Sequence, residues 1–525
     1  MPKLKRDIST INILVASAGG MIGSGWLFSP YITAQMAGSN ALISWVIAAV
    51  FMLFVALPLC ELGTMFPISG GLANYPTLTH GTEVGFLYAW ATWLSYVVMT
   101  PIEIQAILQY GSHFFPILIA EGSGIRLSLS PYGYVVAALI MLFVVVLNTY
   151  GIRALVEFNK YVSLIKFILP GIAIASLLYY SPSMANIHIN LGGAPDWMEV
   201  LSTLSAGGVV FAFAGFQNGL MLAGEVINPQ RNIPIGILGA VLIGFLLYFM
   251  LELSFIAAVP EKYLVHGWAN LHYPGDSGPL VGLTLLLGLG WVATLLMIDA
   301  AFSPFGTTLV YTAATSRIIY GMALHQHLPK LFLKVNRHKI PYMTLYVNLF
   351  VGILSFLPFP GWQKLVAFLS SASILSYGVG PICLLAMRHL RPDMPRPFKL
   401  YLARFISHLS FYLCNLMLYW CGFDILWKLN VALLLGLTLY TTYKKMNPFS
   451  QGPSLYWFVT YMVSLLTISY YGSFGGLGLL TFPFDLALIL PFSSLFLYWS
   501  QKILDSDNYT HQVSRLDELK TVASK

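Results

Sequence analysis

A train of uninterrupted apolar runs, parted by short loops that carry most of the charge, constrains this chain more than any other feature. About 20 apolar residues cross a bilayer as a helix, whose backbone N–H and C=O groups are satisfied within the segment itself. The runs fall at 11–37, 41–66, 84–111, 132–150, 155–180, 201–224, 233–259 and 280–320, then at 341–358, 366–388, 405–422, 424–443, 454–472 and 482–504. They predict an all-α membrane protein of about fourteen transmembrane helices, with 280–320 read as one tilted helix extended into the cytoplasm in preference to two. Charged side chains make up 9% of the chain, against roughly 25% in soluble domains, which excludes a water-soluble enzyme. The runs are continuous rather than alternating, which excludes a membrane barrel. Cys60, Cys383, Cys414 and Cys421 lie in or beside apolar runs without metal-ligand spacing and read as small buried hydrophobes.

Positive charge tests this map, because lysine and arginine accumulate in short cytoplasmic loops. With the N-terminus inside, twenty-two of the 27 fall on the cytoplasmic side and four (Arg126, Lys262, Lys364, Lys428) outside, leaving Lys166 alone within a span. Both termini are therefore expected in the cytoplasm, with the first run retained as a span rather than cleaved as a signal. The net charge of +7 is a cytoplasmic rim facing anionic lipid and needs no nucleic-acid partner.

Two spans are interrupted in matching ways. Span one carries GGMIGSGWLFSP (Gly19 to Pro30) and span six AGGVVFAFAGFQNGLMLAGE (Ala206 to Glu225), each with small residues at mid-membrane where helix propensity is weakest. Taken singly, such glycines also let helices pack closely. Paired five spans apart, they point to a midplane site whose freed amides hold a carboxylate and whose freed carbonyls hold an ammonium or a cation.

Those stretches, with ELGTMFPISGG (Glu61 to Gly71), AGEVINPQRNIP (Ala223 to Pro234) and TSRIIYGMALHQHLP (Thr315 to Pro329), resemble in order and spacing the amino acid–polyamine–organocation permease superfamily. DAAFSPFGTTLVYTAATSR (Asp299 to Arg317) is most similar to the branch containing the bacterial aspartate:proton symporter. The resemblance covers about residues 10–400. It implies two inverted five-helix repeats, at 1–181 (spans one to five) and 200–400 (spans six to ten), followed by appended spans at 405–504 and a cytoplasmic tail at 505–525. It also implies a substrate site built from Ile22, Gly23, Ser24, Gly25, Phe211, Ala214, Gly215, Phe216 and Gln217. Aromatics at Phe211 and Phe216 commonly gate the pocket in relatives, although ordinary packing is the alternative. Many relatives carry an acid where this chain has Gln217, so that acid's role is missing here.

Ionisable residues inside a membrane are costly and mark function. In the superfamily a lysine at the position of Lys166 replaces a sodium ion between helices one and eight, and burial lets its proton come and go. Five carboxylates fall in or beside spans. Glu103, in a helix that lines the site in relatives, is expected to contact proton or substrate. Asp299 could pair with Lys166 or relay its proton. Glu61 and Glu225, near cytoplasmic helix ends, are expected to hold loops and the inner gate, and Glu252 to bond to a neighbouring helix. Ser303, Thr307 and Thr308 offer hydroxyls to sodium or to an ammonium, or bond back to their own helix.

The resemblance implies a secondary transporter that moves an amino acid by proton symport and alternating access, acidic substrates slightly favoured, with an exchanger of the same fold as the alternative. No cofactor, metal or enzymatic activity is expected. GDSGP (Gly275 to Pro279) lacks partners for a protease triad, the glycine run from Gly472 to Gly478 lacks a dinucleotide-binding context, and His325 and His327 lack metal-ligand spacing. A channel or an intramembrane enzyme would show a charged filter or a nucleophile and base at helical spacing; the sequence has neither.

Overall fold

The structure is a computed structural model that describes residues 6–67, 71–120, 127–150, 153–180, 186–187, 196–445 and 453–505, with the side chains of 71, 153–164 and 505 excepted. Lys3, Lys5, Arg126, the side chains of Arg153 and Lys160, and the tail 506–525 lie outside the described residues. The described residues are mostly helical. In order, the helices are α1 (Thr10–Met21), α2 (Gly25–Ala37), α3 (Ala41–Met65), α4 (Gly71–Thr79), α5 (Thr82–Val97), α6 (Met99–Gly111), α7 (Pro131–Tyr150) and α8 (Arg153–Tyr179). They continue as α9 (Trp197–Ala206), α10 (Val209–Phe213), α11 (Asn218–Met221), α12 (Pro229–Ala258), α13 (Pro279–Leu286), α14 (Gly290–Leu324), α15 (Tyr342–Ser355), α16 (Trp362–Tyr377) and α17 (Val379–Leu390). The last are α18 (Ala403–Tyr419), α19 (Phe423–Lys444), α20 (Pro453–Tyr471) and α21 (Phe484–Lys502).

Seven helical stretches of the described residues are long and apolar enough to cross a membrane, and the bent pair Trp197–Ala206 and Val209–Met221, 47° apart, makes an eighth. Leu246 on α12, Phe350 on α15 and Leu434 and Leu435 on α19 are all more than half exposed. Apolar side chains on outward faces suit hydrocarbon as their solvent, so the protein is an integral membrane protein.

Packing puts the broken segments at the centre. α1 and α3 lie along α12, while α14 runs against α6 and α8. The segment from 405 onward joins the rest through specific bonds, including Trp90 Nε1 to the Ala432 carbonyl (2.9 Å) and Ser205 Oγ to the Trp420 carbonyl (2.8 Å). Within it, Asn415 accepts from Tyr461 (2.6 Å) and donates to Ser493 (2.9 Å), tying α18, α20 and α21 together.

Two local expectations need correction. The run 280–320 is not one helix: it divides at Leu287–Leu289, where Gly288 takes φ +73° and leaves the right-handed helical region. α14, with 35 residues, is then about 52 Å long at a 1.5 Å rise, well beyond the roughly 30 Å hydrocarbon core. α4 was not expected in the loop after span two. It has nine residues with Pro76 inside, too short and too interrupted to show a period.

Candidate functional site

The first helix stops at Met21 and restarts at Gly25, leaving Ile22, Gly23 and Ser24 as the break. The matching interruption has two steps: Gly208 adopts φ +81° between α9 and α10, and Ala214 to Gln217 separate α10 from α11. The two breaks lie directly against each other. A Cβ on Gly215, at φ +127°, would collide with the Gly20 carbonyl group and sit 2.7 Å from Met21 N. A Cβ on Gly20 would collide with the Asn218 amide. The backbone contact and the positive φ require glycine at 215, whereas at Gly20 the Asn218 side chain would have to move.

Side chains from other helices bond to groups at the break and in the first turn after it. The Ser24 N–H donates to both carboxylate oxygens of Glu103 on α6, at 3.1 and 2.9 Å. Tyr248 OH donates to the Met21 carbonyl (2.8 Å) and Tyr110 OH to the Leu27 carbonyl (3.0 Å). Trp362 Nε1 donates to Ser24 Oγ (2.9 Å). At the second break, Gln217 Oε1 accepts from Gly215 N–H (2.9 Å) and from Tyr377 OH (3.1 Å). This amide therefore holds the shape of its own loop.

An aromatic wall stands over both breaks. Phe211 packs edge-on to Trp362 with centroids 5.7 Å apart, Phe28 lies 5.0 Å from the same indole, and Phe216 meets Tyr377 at 5.0 Å. Phe211 lies against Gly25, where a Cβ would come 3.1 Å from the ring. Beyond this wall, Tyr31 OH bonds to the Leu271 carbonyl (2.9 Å) and to Asp276 (3.0 Å), and Gln35 also reaches Leu271 (2.7 Å). α2 is thus tied to the loop between α12 and α13.

Lys166 is buried on α8, and its ammonium donates to Thr307 Oγ1 on α14 at 2.7 Å. The Thr307 hydroxyl in turn donates to the Ser303 carbonyl (3.1 Å). Ser303 Oγ has no hydrogen-bond partner among the described residues, and Thr308 bonds back to Phe305 (2.6 Å). Asp299 is 1% exposed, feels the Lys166 charge and is approached by the Trp26 indole, yet neither carboxylate oxygen has a well-formed hydrogen bond. Glu103, Lys166 and Asp299 form one electrostatic cluster of two acids and one amine.

Glu61 and Glu225 lie away from this cluster. Glu61, fully buried, receives Arg388 at 3.0 and 2.7 Å, the Leu400 N–H at 2.7 Å, and the Arg396 guanidinium at 3.4 Å. Glu225 acts through its backbone carbonyl, which accepts from Asp7 and Ile8 N–H, both at 3.0 Å. Glu252 accepts from Thr33 (2.6 Å) and Trp45 (3.0 Å), linking α12 to α2 and α3. Among the described residues no group of three His, Cys, Asp or Glu could hold a metal ion.

Sequence reasoning missed Trp362, Tyr248, Tyr110, Tyr377 and Trp26. Each is an aromatic in a strongly aromatic chain, and only its tertiary position brings its polar tip to a break.

The family model for amino acid permeases matches residues 8–439. The glutamate/serine transporter AimA of Bacillus subtilis is 35% identical over 512 residues, 96% of this chain and 94% of the relative. The aspartate-proton symporter of the same organism is 33% identical over 508 residues, covering 95% and 96%. A more distant relative, the human large neutral amino acids transporter small subunit 2, is 24% identical over 424 residues, covering 78% and 75%. With a family match over most of its length and transporters among its relatives, this chain belongs to the amino acid permease family of the amino acid–polyamine–organocation superfamily.

Proposed function

We propose that the protein is a proton-coupled amino acid permease of the cell membrane that works by alternating access. The observation that carries this reading is the contact between the two breaks, with Lys166 bonded to Thr307 and Glu103 seated on the Ser24 amide around it. Such a centre offers amides to an α-carboxylate and carbonyls to an α-amine, the two groups all amino acids share. Lys166 takes the position of a coupling cation, so a proton gradient rather than sodium drives uptake. The fourteen-span topology with both termini cytoplasmic, and the division into inverted repeats at 1–181 and 200–400, belong to the same proposal.

Acidic or small polar substrates are favoured, because AimA is described as a glutamate/serine transporter and the next relative as an aspartate-proton symporter. Exchange of one amino acid for another on the same fold is the second reading, and the relative described as an aspartate-proton symporter favours net symport. Uptake of each of the twenty amino acids into proteoliposomes, under a pH gradient or a sodium gradient alone, tests both. Accumulation that follows the pH gradient supports symport. Accumulation that follows only sodium, or that needs internal amino acid, overturns it.

A further inference from the structure

The carboxylate of Glu103 sits where an amino acid's own carboxylate would have to bind. Its oxygens take the N–H of Ser24, the residue that opens the 13-residue α2, so the seat combines a freed amide with the positive end of a helix dipole. A side chain on Gly23 would collide with Glu103 Oε1, so the glycine leaves room for that carboxylate. Glu103 is fully buried, and Ser24 N–H is its hydrogen-bond donor in the structure. The charged and titratable groups that act on it are Lys166 from α8, Asp299 and Tyr311 from α14, and Tyr248 from α12. A second observation points to a missing ligand: Asp299, buried beside Trp26, has two acceptor oxygens without a well-formed bond. The cluster holds two acids against the single amine of Lys166.

We propose that Glu103 is a built-in competitor for the substrate's α-carboxylate, and that substrate takes the Ser24 amide only when Glu103 accepts a proton and leaves it. This rests on the permease reading above. Two carboxylates cannot share one helix end in a buried site without large repulsion, and a displaced, charged Glu103 would have no amide to hold it. A proton taken from water onto the Glu103 carboxylate removes both penalties. Glu103 keeps that proton while the occupied site turns from one side of the membrane to the other, which links one proton to each amino acid carried. Release reverses the exchange: the substrate carboxylate departs, Glu103 loses its proton to water and returns to Ser24. Asp299 remains free to face the substrate's ammonium.

Proton uptake during binding tests this on the full-length protein in detergent, with L-serine and L-glutamate as probes and a pH dye in weakly buffered solution. Wild type should take up close to one proton per amino acid bound, and its Kd should weaken about tenfold per pH unit on the alkaline side. Glu103→Gln should bind without proton uptake and with a Kd flat in pH. L-serinamide, which lacks the carboxylate, should take up no proton on wild type, a comparison that needs no variant. Binding to wild type without proton uptake, the same uptake with L-serinamide, or unchanged uptake in Glu103→Gln each overturns the competitor role while leaving the permease reading intact. If none of the twenty amino acids binds wild type at any pH, both fall together.

Discussion

Replacing Glu61 with alanine removes the acid that holds α3, α17 and the segment after α17 together. Glu61 is fully buried, while Arg388 is 26% and Arg396 9% exposed. Arg388 grips both oxygens, and the Leu400 N–H uses one of them again. Removing one partner of a buried ion pair costs about 3–5 kcal/mol, because the remaining charge is left uncompensated. The orphaned Leu400 amide adds up to about 1–3 kcal/mol. Since Arg388 is a quarter exposed and water can reach it, the lower end of each applies: about 4 kcal/mol in all. Unfolding in mixed micelles, followed by circular dichroism, would measure this loss. A cycle with Arg388→Ala isolates the pair, and a coupling of about 2 kcal/mol is expected. A loss below about 1 kcal/mol for Glu61→Ala, or additive effects in the cycle, would refute the clamp.

Gly215→Ala should cost about 2–4 kcal/mol, from a left-handed φ and a Cβ forced onto the Gly20–Met21 backbone. Radiolabelled uptake should vanish while the protein still inserts, and near-normal uptake would contradict the contact. Lys166→Met keeps the stem but loses the ammonium bonded to Thr307, so accumulation driven by a pH gradient should disappear in proteoliposomes. Survival of that accumulation would remove Lys166 from coupling. Desolvation pushes the His327 imidazole, beyond the end of α14, down to about 4 from 6.5, with His325 and Lys444 adding to it. The unfolded chain therefore binds that proton first: stability is complete above about pH 6.5, falls toward pH 4, and should flatten in His327→Phe melts. An equally steep acid loss in that variant would assign it to other groups.

Local features were legible in the sequence because they are written locally. Weak helix propensity at Gly19 to Gly25 foretold a break that the structure has at Ile22 to Ser24. Small residues from Ala206 to Gly215 foretold the second. Lys166 stood out as the lone cation within a span, and its distance from the hydroxyls of span eight in sequence, 141 positions to Thr307, was bridged only through the family resemblance. Partners set by tertiary packing were not legible. Ser24 and Glu103 are 79 positions apart, Ser24 and Trp362 338, and Glu61 and Arg388 327. Periodicity tells which face of a helix is apolar, but in a bundle nearly every face is apolar, so it gives no rotation to bring one polar tip to one amide. The division at Gly288 was hidden for the same reason, since leucines on both sides keep the run continuous.

The ties at the break also bear on how a carrier of this kind moves. Met21 O, Leu27 O and Ser24 N each bond to a side chain from outside the first span: Tyr248 on α12, and Tyr110 and Glu103 both on α6. Each such bond contributes about 1 kcal/mol net when exchanged for another partner, and several times that when left unmade in hydrocarbon. α2 is held further by Tyr31 and Gln35 to Leu271, and by Thr33 to Glu252. α1 is held at its other end by the Ile8 and Val226 backbones. Both halves of the first span are held to α12, Met21 by Tyr248 and Thr33 by Glu252, and the three residues between them are the joint. A ligand or water that replaces one tie at a time lets one half tilt at the cost of an exchange, while loss of all ties together would cost an order of magnitude more. On the alternating-access reading proposed above, motion at this joint is conditional on what occupies the break, as a carrier that opens to one side at a time requires.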